Sequence, residues 1–98
     1  MVTWTARARA DLKAIHDYIA KDSPENAKRV VHEMRRKADT LEETPLIGRV
    51  VPELDDPDLR EIPSYSWRIL YQLRERRVFV ITIIHKGRLT SGADIVPG

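Results

Sequence analysis

The stretch TARARADLKAIHDYIAKDSPENAKRVVHEMRRKADTL, residues 5–41, decides the architecture. Thr5 offers a hydroxyl that caps the amides of a following helix. Behind it Ala8, Leu12, Ile15 and Ile19 recur at i, i+4, i+7 and i+11, while Arg9, Asp11, Lys13 and Asp17 fall off that stripe. The spacing predicts an amphipathic helix from about Ala6 to Ala20. Asp22-Ser23-Pro24 then marks a boundary, because serine suits the N-cap and proline the first helical position, where no amide donor is missed. A second stripe follows in Ala27, Val30, Val31, Met34, Ala38 and Leu41, and Glu33 with Lys37 forms a favourably oriented i, i+4 pair. Pro45 and Gly48 end this helix. With so short a link the two helices fold back as an antiparallel hairpin whose stripes face one core.

Working outward, Val2, Thr3 and Trp4 form a short β-prone opening that hands over to the first helix. On the other side, Pro52, Pro57 and Pro63 together with Asp55, Asp56 and Asp58 give Val50–Pro63 the composition of loop and edge structure. Leu59 to Ile62 reads as a short strand. Trp67, Ile69, Tyr71 and Leu73 alternate with Arg68, Leu70, Gln72 and Arg74, the period of a sheet. The charged stretch Arg74–Arg77 makes the turn, and Val78–Ile84 is β-branched and aromatic on both faces, as in an inner strand covered on both sides. The order β-α-α-β-β-β, with helices on one face of a mostly antiparallel sheet, is α+β. It fills one domain, residues 1–98.

Composition narrows the function classes. The chain has 42% hydrophobic and 33% charged residues, within the globular range. Its net charge is only +2 but its pI is about 9.2, and clustered arginines favour an acidic partner. It lacks cysteine, which removes disulfides, thiolate catalysis and thiolate zinc sites and suits a reducing compartment. Arg7 and Arg9 are followed by no apolar run and no segment reaches membrane-spanning length, so a cytoplasmic protein without membrane association is expected.

The candidate chemistry is sparse. Among the three imidazoles, His16 and His32 fall on polar helix sides and read as solvated. No histidine and carboxylate cluster has the spacing of a metal site, and no nucleophile motif, phosphate-cradling glycine loop or dinucleotide fingerprint is present, so neither metal nor cofactor is expected. His85 ends the inner strand beside Lys86 and near Arg88, where a side chain emerges from a rigid scaffold. It suits a general acid or base, and it equally suits a strand-end histidine bonded to the backbone. Arg60, Arg68, Arg74, Arg76, Arg77, Lys86 and Arg88 lie on the strands or their connections. That set fits phosphates or an acidic protein, and it is also the make-up of an ordinary solvated sheet rim.

Seven pieces of the chain, in order, carry a resemblance: Trp4–Ile19 (WTARARADLKAIHDYI), Asp22-Ser23-Pro24, Pro45-Leu46-Ile47-Gly48-Arg49, Pro52-Glu53, Leu59-Arg60-Glu61-Ile62, Trp67-Arg68-Ile69-Leu70-Tyr71 and His85-Lys86-Gly87-Arg88. Each occurs widely by itself, but their order and spacing resemble the ParE branch of the ParE/RelE toxin superfamily across nearly the whole chain. The resemblance implies the toxin of a type II toxin–antitoxin pair, acting in plasmid or chromosome maintenance and neutralised by a ParD-like antitoxin whose C-terminal segment wraps it in a hetero-oligomer. Operator DNA would then be contacted only through the antitoxin. ParE-type members are described as poisoning DNA gyrase, whereas RelE-type members cut mRNA in the ribosome, so the fold alone does not choose.

The nuclease alternative would use Arg60, Arg68 and His85. Against it, Lys86 stands where some of those nucleases carry tyrosine, and Asp55, Asp56 and Asp58 precede Arg60 where they need lysines. A gyrase-inhibiting binding protein rather than an enzyme is therefore expected, contacting its target through Arg60, Arg68, His85, Lys86, Arg88, Ile95 and Val96. The tail from Leu89 to Gly98 lacks a periodic pattern that would bind it into the core, so it is expected to matter for toxicity more than for folding.

Overall fold

The structure, a computed structural model describing residues 1–95, runs β1 (Val2–Trp4), α1 (Ala6–Ala20), α2 (Pro24–Asp39), a 3₁₀ turn (Thr40–Glu42), β2 (Arg49–Val50), β3 (Leu59–Ser64), β4 (Trp67–Arg74), β5 (Arg77–His85) and a last 3₁₀ turn (Gly92–Asp94). This is the expected α+β order with one addition: β2, a two-residue edge strand pairing Arg49 and Val50 with Glu61 and Arg60. Both helix starts follow from their caps. Thr5 Oγ1 accepts from the Ala8 amide at 3.1 Å and donates to the Ile81 carbonyl at 3.0 Å, so one hydroxyl both starts α1 and seats it on β5. Ser23 Oγ accepts from the Asn26 amide at 3.2 Å, with Pro24 opening α2.

The expected Glu33–Lys37 pair does not form. Arg36, one residue nearer on the same helix face, takes Glu33 at 2.8 Å, and Lys37 Nζ instead donates to the Pro63 carbonyl at 2.7 Å, tying α2 to β3.

The sheet order is β1-β5-β4-β3-β2, parallel at β1–β5 and antiparallel elsewhere. Leu70 pairs with Thr82 while Tyr71 pairs with Val80, which leaves Ile81 as a bulge in β5. The extra residue shifts the alternation, so that Val80 before it and Ile83 after it both join the helix-facing core. That core takes Ala8, Leu12 and Ile15 from α1, Val30, Met34 and Ala38 from α2, and Ile69 from β4. Leu41, Tyr71 and Val78 extend it toward the β4–β5 hairpin.

Among the described residues, no α-helix lies over the opposite face of the sheet. Val51, Leu59, Leu70 and Ile84 form its apolar layer, with Leu54 and Ile95 packed against them. Here the expectation for the tail needs correcting. Thr90 is buried and Ile95 packs on this layer, so the segment up to Ile95 belongs to the folded unit even though it carries no periodic pattern. Two side chains and a set of polar contacts suffice to hold so short a piece. Among the described residues, no helix is long and apolar enough to cross a membrane.

Candidate functional site

The inner strand β5 ends in a tight turn that carries three of the candidate residues. The Arg88 amide donates to the His85 carbonyl at 3.0 Å, the Gly87 amide to His85 Nδ1 at 3.2 Å, and the Lys86 amide to the Ser66 carbonyl at 2.9 Å. With its Nδ1 lone pair engaged, the neutral ring carries its proton on Nε2. Trp67, the partner of His85 across β4–β5, meets it edge to face with ring centroids 6.2 Å apart. Between this strand end and α1 lies an open cleft of about 400 Å³, lined by Ala14, Ile15, Tyr18, Ser66, Trp67 and His85. Tyr18 is 68% exposed despite its size. Lys86 and Arg88 are exposed beside the cleft.

Arg68 does not join them. It projects from the other face of β4, where it is 7% exposed. Glu53 grips it with two oxygens, at 3.1 and 2.7 Å, Glu61 Oε1 accepts at 2.8 Å, and the Arg88 carbonyl accepts at 2.7 Å. Register explains the Glu61 contact, because Pro63 is paired with Arg68 and Glu61 lies diagonally on the same face. Its hydrogen bonds from Arg68 hold the Glu53 carboxyl down at about 2, against the cost of burial, and the same contact raises the arginine. Glu61 also accepts from the exposed Arg49 at 3.0 Å. A guanidinium so engaged is a structural tie between strand, loop and turn, and little of it is exposed to the target or scissile phosphate that the sequence suggested for it.

Arg60 is similarly occupied. It donates to the carbonyls of Pro57 at 3.1 Å and Gly48 at 3.0 Å, bracing the link between α2 and β3. Tyr71 braces the same link from beneath: its hydroxyl donates to the Pro45 carbonyl at 2.7 Å and accepts from the Gly48 amide at 2.9 Å. Burial pushes the phenol pKa up. A Cβ at position 48 would stand 2.5 Å from that hydroxyl and 2.6 Å from the Glu61 carbonyl, so close approach is why glycine sits there.

The tail closes the surface. Asp94 accepts from Arg7 at 3.0 Å and Arg88 at 2.9 Å, and from the Ser91 amide and Thr90 hydroxyl, each at 3.0 Å. The Ser91 amide leads in holding its carboxyl below the usual range. Arg88 thus stands exposed but partnered, and Ile95 is half-buried against the second apolar layer. Val96 lies outside the described residues.

Of the candidate residues, then, the fold brings His85, Lys86 and Arg88 together and sends Arg60, Arg68 and Ile95 to structural tasks. The aromatic partners Tyr18 and Trp67 were not singled out as site residues, since an alternating Trp67 and an aromatic on a helix both read as core. Glu53 and Glu61 were missed as well. The available signal was that an arginine sharing a strand face with Leu70 must be met by carboxylates from neighbouring segments. Among the described residues, no group of histidine or carboxylate side chains is arranged to hold a metal ion.

Comparison with known proteins bears on what this surface is for. Residues 2–90 match the family model described as the ParE toxin of the type II toxin–antitoxin system parDE. A curated protein of Caulobacter vibrioides, Toxin RelE2, is 41% identical over 91 residues, covering 90% of this chain and 97% of its own. Among solved structures, the chromosomal ParDE system from P. aeruginosa aligns with a TM-score of 0.72 at 23% identity, covering 86% of this chain and 92% of that one. The RelBE2 toxin–antitoxin complex of Mycobacterium tuberculosis aligns with a TM-score of 0.60 at 21% identity, covering 88% and 96%.

Proposed function

Because the chain belongs to the ParE family of toxins of type II toxin–antitoxin systems, within the ParE/RelE superfamily, we propose that it arrests growth by binding DNA gyrase and not by cutting RNA. The observation that carries this reading is the engagement of Arg68 by Glu53 and Glu61, with Arg60 turned onto main-chain carbonyls. Cleaving a phosphodiester asks for an acid and a base and for cations free to take up the charge that develops on the phosphate. Here His85 has a free Nε2, but both arginines a nuclease would need are already neutralised or spent on the fold.

The His85–Arg88 turn instead suits protein contact, with an exposed imidazole, an exposed ammonium and a tryptophan behind them. On this reading a ParD-like antitoxin lays an apolar segment into the cleft between α1 and the sheet, against Tyr18 and Trp67, and so covers the turn that meets gyrase. Neutralisation is then occlusion.

The test runs two assays side by side on the purified toxin. Inhibition of gyrase supercoiling, with an SOS response on induction and intact ribosome-bound mRNA, supports the reading; mRNA cleavage without gyrase inhibition overturns it. The name RelE2 carried by the Caulobacter relative keeps ribosome-dependent mRNA cleavage as the alternative, and His85→Ala separates the two. Loss of one interface contact costs about tenfold or less in gyrase inhibition, whereas loss of a general acid or base costs about 10² to 10⁴ in cleavage rate.

A further inference from the structure

We propose that the arginine-bearing tip of the β4–β5 hairpin, with the groove beside it, docks a segment of the poisoned protein in which carboxylates flank a large apolar side chain. The inference rests on the reading that this toxin acts by binding a protein. Arg74 pairs with Arg77, so Glu75 and Arg76 form a two-residue turn, with φ of 51° and 63°. Both central residues in the left-handed region make a type I′ turn, whose favoured sequence is Asn-Gly because L side chains are strained there. The chain keeps glutamate and arginine at this cost, and strain maintained on an exposed tip points to a use.

The arginines are also held in place. Arg74 and Arg77 set their guanidinium carbons over the Phe79 ring, 4.3 and 5.3 Å from its centroid, which keeps two long side chains from ranging freely through solvent. Beside the tip lies a groove of about 450 Å³ with an apolar floor of Pro45, Leu46, Leu73 and Val78 and with Arg76 and Arg77 at its mouth. Leu46 is 64% exposed on the link that Tyr71 and Arg60 brace, so it is presented on a fixed loop.

Charge identifies the occupant. Arg74, Arg76 and Arg77 share this rim with Glu75, while Glu42 across the groove is already paired with the Met1 ammonium, so the rim calls for carboxylates and the floor for an apolar side chain between them. A nucleic acid would satisfy the arginines and leave the floor wet. Area identifies the source. A stable complex needs about 800 Å² on each partner, which a four-residue turn at His85 does not supply. The antitoxin is assigned above to the cleft at the far end of the eight-residue β4, so this groove is left for the target.

The experiment measures binding of purified DNA gyrase, and separately of the cognate antitoxin, by the full chain and by Leu46→Asp and Arg76→Gly. Leu46 is exposed and Arg76→Gly relieves a left-handed residue, so both variants fold, and the glycine raises Tm by roughly 4 °C. Gyrase binding is expected to weaken at least tenfold in Leu46→Asp and about fivefold in Arg76→Gly, with antitoxin binding unchanged. Wild-type gyrase affinity in both variants overturns the groove assignment alone, and absence of gyrase binding by the wild-type chain overturns the functional reading itself. Loss of antitoxin binding, loss of RNA binding, or conversion of a dimer to a monomer in light scattering would each assign the groove to another occupant and overturn the proposal.

Discussion

The two faces of the sheet are covered by different means. On one, α1 and α2 lay continuous apolar stripes over Ile69, Val80 and Ile83, and a few bonds, from Thr5 to the Ile81 carbonyl, from Lys37 to the Pro63 carbonyl and from the Ile83 amide to Asp11, pin helices that packing already holds. On the other, a proline-rich acidic loop and a short tail cover Leu59, Leu70 and Ile84, and they are held by ion pairs that converge on Arg68 and Asp94. The first cover rests mainly on apolar area. The second is a set of discrete polar ties, each of which fails separately, and it is the cover that positions the His85–Arg88 turn.

The sharpest way to break the contrast is to remove the central tie. Arg68→Ala leaves Glu53 without its cation and Glu61 with only the exposed Arg49, and is expected to cost about 3–5 kcal/mol in denaturant unfolding. A triple variant replacing Arg68, Glu53 and Glu61 with leucine should recover most of that loss, since apolar packing then serves both faces alike. If it stays as unstable as Arg68→Ala, the tie is more than a substitute for packing.

Acid should separate the faces without mutation. Glu53 is held at about 2 in the folded chain against an ordinary value of 4.5, so its contribution is complete above 4.5 and is lost as pH falls toward 2. The loss is on the order of 3 kcal/mol at full protonation. Tm measured from pH 6 to pH 2 should therefore fall more steeply for the wild type than for Glu53→Gln, and parallel curves would remove Glu53 from the account. Asp94 shifts the same way and adds to the slope.

Truncation after Arg88 removes Asp94, with its bonds to Arg7 and Arg88, and uncovers the layer beneath Ile95. A loss of about 1–3 kcal/mol is expected, and an unchanged midpoint would mean that the tail rests on the sheet without supporting it. The smallest effect belongs to the exposed Lys13–Asp17 pair on α1, where Lys13→Ala should leave the unfolding midpoint almost unchanged, and a clear drop would show that a solvent-screened pair matters here.

The contrast also marks what the sequence could convey. Ala8, Leu12 and Ile15, or Val30, Met34 and Ala38, announce their side of the molecule through spacing, because a helix repeats every 3.6 residues and one face meets the core. The caps Thr5 and Ser23 are similarly local. Arg68 and Glu53 are fifteen residues apart and meet only once β4 and the loop are in place, so no periodicity records their pairing. The bulge at Ile81 is hidden in VFVITII, where every register offers an apolar side chain to both faces. For the site, the turn His85–Arg88 was visible as a strand end with polar residues. That Arg60 and Arg68 are spent on the fold, and that Tyr18 stands exposed near Trp67, depended on contacts across the whole chain.

One pairing has a consequence for how the molecule comes into being. Val2, Thr3 and Trp4 lie against Val78, Phe79 and Val80, so the first strand made waits for the last. At a synthesis rate of about 5–20 residues per second, the opening strand remains without its neighbour for roughly 4–15 s of translation. The helical hairpin forms from local contacts meanwhile, but the sheet end that presents His85 does not exist until nearly the whole chain has been made. Assembly across so long a separation is slow compared with helix formation. The sheet end that carries His85 is thus among the last parts of the fold to be completed.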